Sequence, residues 1–202
     1  MKGQMFLIAA LLLVIGLVLI KGFITTSQVT DEQARLDQSL DEKKIQNIER
    51  EYEEMIALST LSTTPNVTAV QYLSNFSSWL RDIEDIKILS LAVFMNGSTQ
   101  QFSVSVVNYL DDKINVTINV TNSTVTGAAI GTLNDKTNST TSFSAAMNGS
   151  INITLTYLLQ GTNVQEQIAV DSTKNTGAGF FDIQLTGDPA FRIKRTYNRT
   201  WP

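Results

Sequence analysis

The stretch INVTINV, residues 114–120, places Ile or Val at every second position, with Asn or Thr between them. Successive side chains of a strand point to opposite faces, so this period of two predicts a strand with one apolar and one polar face. Four other runs share the character: KILSLAVFM (87–95), QFSVSVVNY (101–109), INITLTYLL (151–159) and VQEQIAV (164–170) are short, β-branched and mostly alternating. GFFDIQLTG (179–187) and AFRIKRTYN (190–198) supply two more. Turn chemistry separates the runs at Asn96-Gly97, Asp111-Asp112, Asn148-Gly149, Gly161-Thr162 and Gly187-Asp188-Pro189. Asn148-Gly149 between two strand-like runs predicts a type I′ hairpin. Strands at about ten-residue spacing predict an antiparallel, immunoglobulin-like β-sandwich over residues 87–200.

Upstream of Lys87 the period lengthens from 2 to 3.6. Val70, Leu73, Phe76, Leu80 and Ile83 recur at three and four, which predicts an amphipathic helix over 66–86 whose apolar face, with Trp79 beside it, covers the sandwich. Between Phe23 and Pro65 there is neither glycine nor proline, and residues 31–54 are about half charged. Leu36, Leu40, Ile45, Ile48, Tyr52 and Met55 form one narrow stripe, so residues 25–62 read as a long charged helix. That helix is either a solvated stalk with pairs such as Asp31–Arg35, or a seam against a neighbouring copy or the chain's own head. Thr30 and Gln33 can form a capping box, which would break the helix near Thr30.

Met5–Ile20 carries no charge, and the run extends to Ile24 if Lys21 snorkels. A membrane span needs about 20 residues, so residues 4–24 are expected to form a short transmembrane or assembly helix, with residues 5–24 in contact with lipid. The expected class is therefore α+β, with an N-terminal membrane helix and amphipathic helices followed by an antiparallel β-sandwich head.

The chain has no cysteine and no histidine, which removes disulfides, zinc-thiolate sites, imidazole ligation and His-dependent catalytic triads. All 19 acids lie beyond residue 30, leaving the part after the apolar run acidic and poorly suited to nucleic acid. Ten of the 15 asparagines stand in Asn-x-Ser/Thr: Asn66, Asn75, Asn96, Asn115, Asn119, Asn122, Asn138, Asn148, Asn152 and Asn198. From the Ser and Thr content, chance gives roughly three. These are read as N-linked glycan acceptors, and as all follow residue 65 they place the C-terminal part outside the cell, N-terminus inside.

Other motifs carry less. NTGAGFF (175–181) matches no dinucleotide or phosphate-loop pattern and reads as a turn or bulge. Asp111-Asp112, Asp182 and Asp188 fit no calcium-loop spacing, so no metal or cofactor is expected. Arg192, Lys194, Arg195 and Arg199 make the tail basic, and alternation in FRIKR sets Arg192 and Lys194 opposite Phe191 and Ile193, as on an edge strand. A membrane-surface or partner contact is the functional reading of that tail.

The short basic leader MKG, Gln4, an apolar run starting at once and a β-rich remainder resemble archaeal type IV pilin-like proteins with a class III signal peptide. The resemblance implies a leader of residues 1–3 cut at the Gly3–Gln4 bond, with the helix retained as an anchor or packed in a fibre core through self-assembly. The glutamate that many pilins carry at the fifth mature position is Ile8 here. The expected function is a non-enzymatic cell-surface glycoprotein, either a pilin-like filament subunit or a membrane-anchored envelope component. The alternative is a monomeric signal-anchored protein whose β-domain binds a carbohydrate, a surface layer or a protein. An exported glycosidase-type enzyme is the third reading.

Overall fold

A computed structural model of the chain describes residue 21 and residues 42–124, 127–159, 161–185 and 192–201. The chain divides into two compact units, Met1–Ile48 and Glu49–Pro202. A helix over 42–59, α1, has its residues from Glu49 onward in the second unit. It is followed by α2 (Pro65–Glu84), β1 (Ile86–Asn96), β2 (Gln101–Tyr109), β3 (Ile114–Val120), β4 (Gly127–Leu133), β5 (Thr137–Ser144), β6 (Ser150–Leu159), β7 (Thr162–Asp171), β8 (Asn175–Leu185) and β9 (Arg192–Trp201).

The strands form two antiparallel sheets, one in the order β5-β2-β1-β8-β9 and one in the order β4-β3-β6-β7. Consecutive strands pair as β1/β2, β3/β4, β6/β7 and β8/β9, while the chain changes sheet at each remaining connection. Leu89, Leu91, Val93, Val104, Val106 and Phe180 from the larger sheet share one core with Ile114, Val116, Ile118, Ile151, Ile153 and Leu155 from the smaller. Burying such branched and aromatic side chains stabilises by about 1.5–3 kcal/mol each, which makes this layer the main source of stability.

The sheets differ in how many faces they bury. In β3 and β6 burial alternates along most of the strand, so one face meets the core and the other lies more open. In β1 and β8 almost every residue is buried, because the second face of the larger sheet lies under the helices. That second face mixes large residues such as Ile88 and Phe181 with a run of small ones: Ser90, Ala92, Ser105, Gly177 and Gly179 fall on it by alternation from the core-facing set. Small residues let a helix approach closely, and a Cβ on Gly179 would overlap Ile56 Cδ1 of α1. Tyr52 stacks on Phe181 with ring centroids 5.2 Å apart, and its hydroxyl shares a 2.7 Å hydrogen bond with Ser77 Oγ of α2. Burial pushes the Tyr52 phenol well above its ordinary pKa.

The α+β expectation with an N-terminal membrane helix is therefore corrected. The described residues are predominantly β, and the two helices form a layer on one sheet. Their stripes are only wide enough to bury one side, so the sheets set the architecture. Among the described residues no helix is long and apolar enough to cross a membrane. The expected span at 4–24, the Gly3–Gln4 bond and the break near Thr30 lie outside the described residues, Lys21 excepted.

Several details also differ from the sequence reading. The buried stripe of α2 is Ala69, Leu73, Ser77 and Leu80, while Ile83 is 67 % exposed. Small side chains bring this helix close to the sheet, and a reading based on large apolar residues passes over them. Residues 49–59 pack on the head, one of the two readings left open for this helix, but Ile56 is buried where Met55 was expected. NTGAGFF is not a turn: it lies in β8, paired with β1 from Thr176 to Leu185. Nor is Asn148-Gly149 a type I′ hairpin, since only Gly149 has positive φ and the chain there passes between sheets.

Candidate functional site

The sequons fall into distinct structural settings. Three lie on the open face of the smaller sheet. Asn115 and Asn119 of β3 are exposed, two pleats apart, and about 13 Å separates them along the strand. Asn152 of β6 is half-buried, and its neighbour across the pair is Ala169 of β7. Thr117, Thr154 and Thr156 share this face, with Thr117 opposite Thr156 and Asn119 opposite Thr154. Gln165 and Gln167 of β7 extend it as exposed residues. Thr132 donates a 2.9 Å hydrogen bond to Asn115 Oδ1, which orients that amide. Ala169 and the exposed Leu158 aside, the face is polar and uncharged at these positions, with amides and hydroxyls in place of acid–base groups.

Asn66 and Asn75 lie on α2, Asn138 on the edge strand β5, Asn96 at the end of β1, and Asn148 in the loop before β6. Asn75, Asn96, Asn138 and Asn148 are exposed. Asn96 Oδ1 accepts from the backbone N–H groups of Ser98 and Thr99 at 3.0 and 3.1 Å. Asn122 is different. It has φ +58, and its amide nitrogen donates to the Met147 and Ser150 carbonyls at 3.4 and 3.3 Å. That asparagine serves the turn after β3, and a sugar on its nitrogen would displace those bonds. Asn198 Nδ2 likewise donates to the Ala169 carbonyl at 2.6 Å, tying β9 to β7.

Of the acids and bases singled out from sequence, Asp111, Asp182, Arg192, Lys194 and Arg195 are held in ion pairs, and Asp188 lies outside the described residues. Asp182, fully buried on β8, accepts from Arg192 Nε at 2.7 Å and also from Arg192 Nη2 and the Tyr157 hydroxyl. Arg192 Nη2 reaches Tyr157 at 3.1 Å, so the triad joins β6 of one sheet to β8 and β9 of the other. Burial and then the neighbouring Asp182 charge push the Tyr157 phenol far above its ordinary pKa, while the hydrogen bond to Asp182 raises that of Arg192. This is a clasp: each group is consumed by the others. Lys194 pairs with Glu166 at 2.7 Å and Arg195 with Glu49 at 3.1 Å, so the basic tail is largely engaged. Sequence alternation correctly pairs Arg192 with Lys194 on one face, but that face turns toward the edge of the opposing sheet. Asp111 bonds Arg81, whose hydrogen bond holds its carboxyl below the usual range. Among the described residues no cluster of acids suits a metal ion.

A groove of about 720 Å³ lies at one end of the sandwich, lined by Ser, Thr, Asn and Gln with Phe94, Phe102 and Phe143. All three rings are buried, and Phe102 stacks on Phe143 with centroids 5.2 Å apart, so no aromatic face is offered to a sugar. Asn66 and Asn96 also line it.

No family model matches this chain, and no curated protein matches it. Among solved structures, the GAE domain of GGA2p from Saccharomyces cerevisiae is similar at 10 % identity over 42 % of this chain and 88 % of that one, with a TM-score of 0.23. Overlap at that level carries no functional argument.

Proposed function

We propose that this chain is a non-enzymatic cell-surface glycoprotein, with a β-sandwich head that displays N-linked glycans and serves as a pilin-like subunit or other envelope component. The observation that carries this reading is the open face of the smaller sheet, where Asn115 and Asn119 stand exposed beside Asn152 on an uncharged surface of amides and hydroxyls. Asn is depleted in strands, yet Asn-x-Thr recurs along β3 and β6 with its asparagines on the more open face. The consumption of Asp182, Arg192 and Tyr157 by one another favours a structural over a catalytic role. Localisation follows the glycans: the head faces the compartment in which they are attached.

The test is glycopeptide mass spectrometry on the protein from its own cell envelope. Hexose-bearing peptides at Asn115, Asn119 and Asn152 support the reading, and unmodified peptides at all three sink it. The same digest reads the mature N-terminus: a chain beginning at Gln4 supports the pilin-like form, and an intact Met1 removes it.

A further inference from the structure

The helix layer carries an apolar patch that the sandwich does not use. Met55 and Leu58 of α1 and Tyr72 and Phe76 of α2 line a shallow groove of about 390 Å³, and the remaining lining residue is Asn75. Leu58 is 56 % exposed and Tyr72 42 % exposed, while Trp79, 49 % exposed, stacks on Phe76 with centroids 5.7 Å apart. Residues three and four apart share one side of a helix, so Tyr72 and Trp79 flank Asn75 along α2. Asn75-Phe76-Ser77 is a sequon, and Asn75 itself is exposed.

We infer that Asn75 is a modification site whose N-linked glycan folds back onto this groove, its first pyranose lying on Tyr72 and Leu58. The inference rests on the glycoprotein reading above and deepens it. A pyranose has one face of C–H bonds, which matches the negative face of an aromatic ring and the apolar side chains around it. Attachment joins Asn75 Nδ2 to the anomeric carbon of a lipid-phosphate-linked oligosaccharide. The amide gives up one proton, and the lipid phosphate leaves with the bonding electrons. The sequon's own hydroxyl sets the timing: Ser77 Oγ is fully buried and bonded to Tyr52, so the acceptor is readable only before α2 docks. Asn75 is therefore modified on the unfolded chain, and the groove is covered as the head folds.

The full chain and its Asn75→Gln and Tyr72→Ala variants are expressed in a host that N-glycosylates, and the same chain is refolded from a host that does not. Site occupancy is read by mass spectrometry, melting by circular dichroism, and exposed apolar surface by a hydrophobic dye. The expected result is an occupied Asn75, a melting temperature roughly 2–4 °C above that of Asn75→Gln, and lower dye fluorescence. Most of that increment is lost in Tyr72→Ala. Refolded chain offered to the transferase and glycan donor is expected to be modified at Asn115 or Asn119 and not at Asn75.

Occupied Asn115, Asn119 or Asn152 with a bare Asn75 overturns this inference and leaves the glycoprotein reading standing. Bare sequons throughout end both. An occupied Asn75 with no change in melting or dye binding shows a glycan that points away, which also overturns it. So does a concentration-dependent dimer formed equally by glycosylated protein and by Asn75→Gln, because a second copy would then cover the groove.

Discussion

Replacing Gly179 by alanine tests whether residues 49–59 are a layer of the head or a free stalk. A Cβ at this position meets Ile56 Cδ1 far inside contact distance, while the next atoms, Leu91 O and Ile56 Cγ1, lie at ordinary or slightly tight separations of 3.3 and 3.6 Å. Overpacking of this kind costs about 1–3 kcal/mol. Alanine also restricts the unfolded chain, which returns about 0.4–1 kcal/mol where the native backbone accepts it. The net expectation for Gly179→Ala is therefore a loss of roughly 1–2 kcal/mol. Ile56→Val removes the clashing methyl and by itself costs about 0.5–1.5 kcal/mol. In that background Gly179→Ala should be neutral or slightly stabilising, so the two changes couple by more than about 1 kcal/mol. Urea unfolding of the four proteins, followed by circular dichroism and aromatic fluorescence, gives the cycle. A Gly179→Ala variant as stable as the parent, or losses that simply add, would refute the close docking of α1 on β8.

The clasp on β9 gives a second cycle. Arg192→Met leaves the Asp182 carboxylate buried with Tyr157 alone and should cost roughly 2–4 kcal/mol, less than a fully buried pair because the Arg192 side chain is 27 % exposed. Asp182→Leu with Arg192→Met should be less damaging than Arg192→Met alone in the same urea assay. At high pH the raised folded pKa values of Tyr52 and Tyr157 give stability that is complete below the ordinary tyrosine value near 10. Above it the unfolded phenols ionise first, so stability should fall by about 1.4 kcal/mol per pH unit for each buried tyrosine. Tyr109 is also raised by burial, so Tyr52→Phe should remove one tyrosine's share of that slope rather than all of it, which a melting series between about pH 9 and 11.5 measures. On β3, Ile118→Ala should cost about 2–5 kcal/mol and Thr117→Ala within about 0.5 kcal/mol, the two faces of one strand being read by one denaturation experiment.

The alternation in INVTINV settled that β3 is a strand with one wet face, and the 3.6 period located α2 to within two residues of its observed start at Pro65. Those readings succeed because they depend only on which way neighbouring side chains point. GAAIGTL and TNSTTSFS, which form β4 and β5, escaped notice because edge strands need no two-sided burial and so lack a run of large apolar residues. The sequons were equally plain as a pattern, but only folding separates outward Asn115 and Asn119 from Asn122, whose amide is spent on a turn. Pairing across 10 or more positions decided the rest. Arg192 reads as a surface cation until β9 is laid beside β8 and its guanidinium meets Asp182 and the Tyr157 hydroxyl. Gly179 reads as a turn glycine until Ile56 lies over it. Local periodicity fixes the direction of a side chain; what stands opposite is set by sheet order and layer packing, and these connect residues that are far apart in the chain.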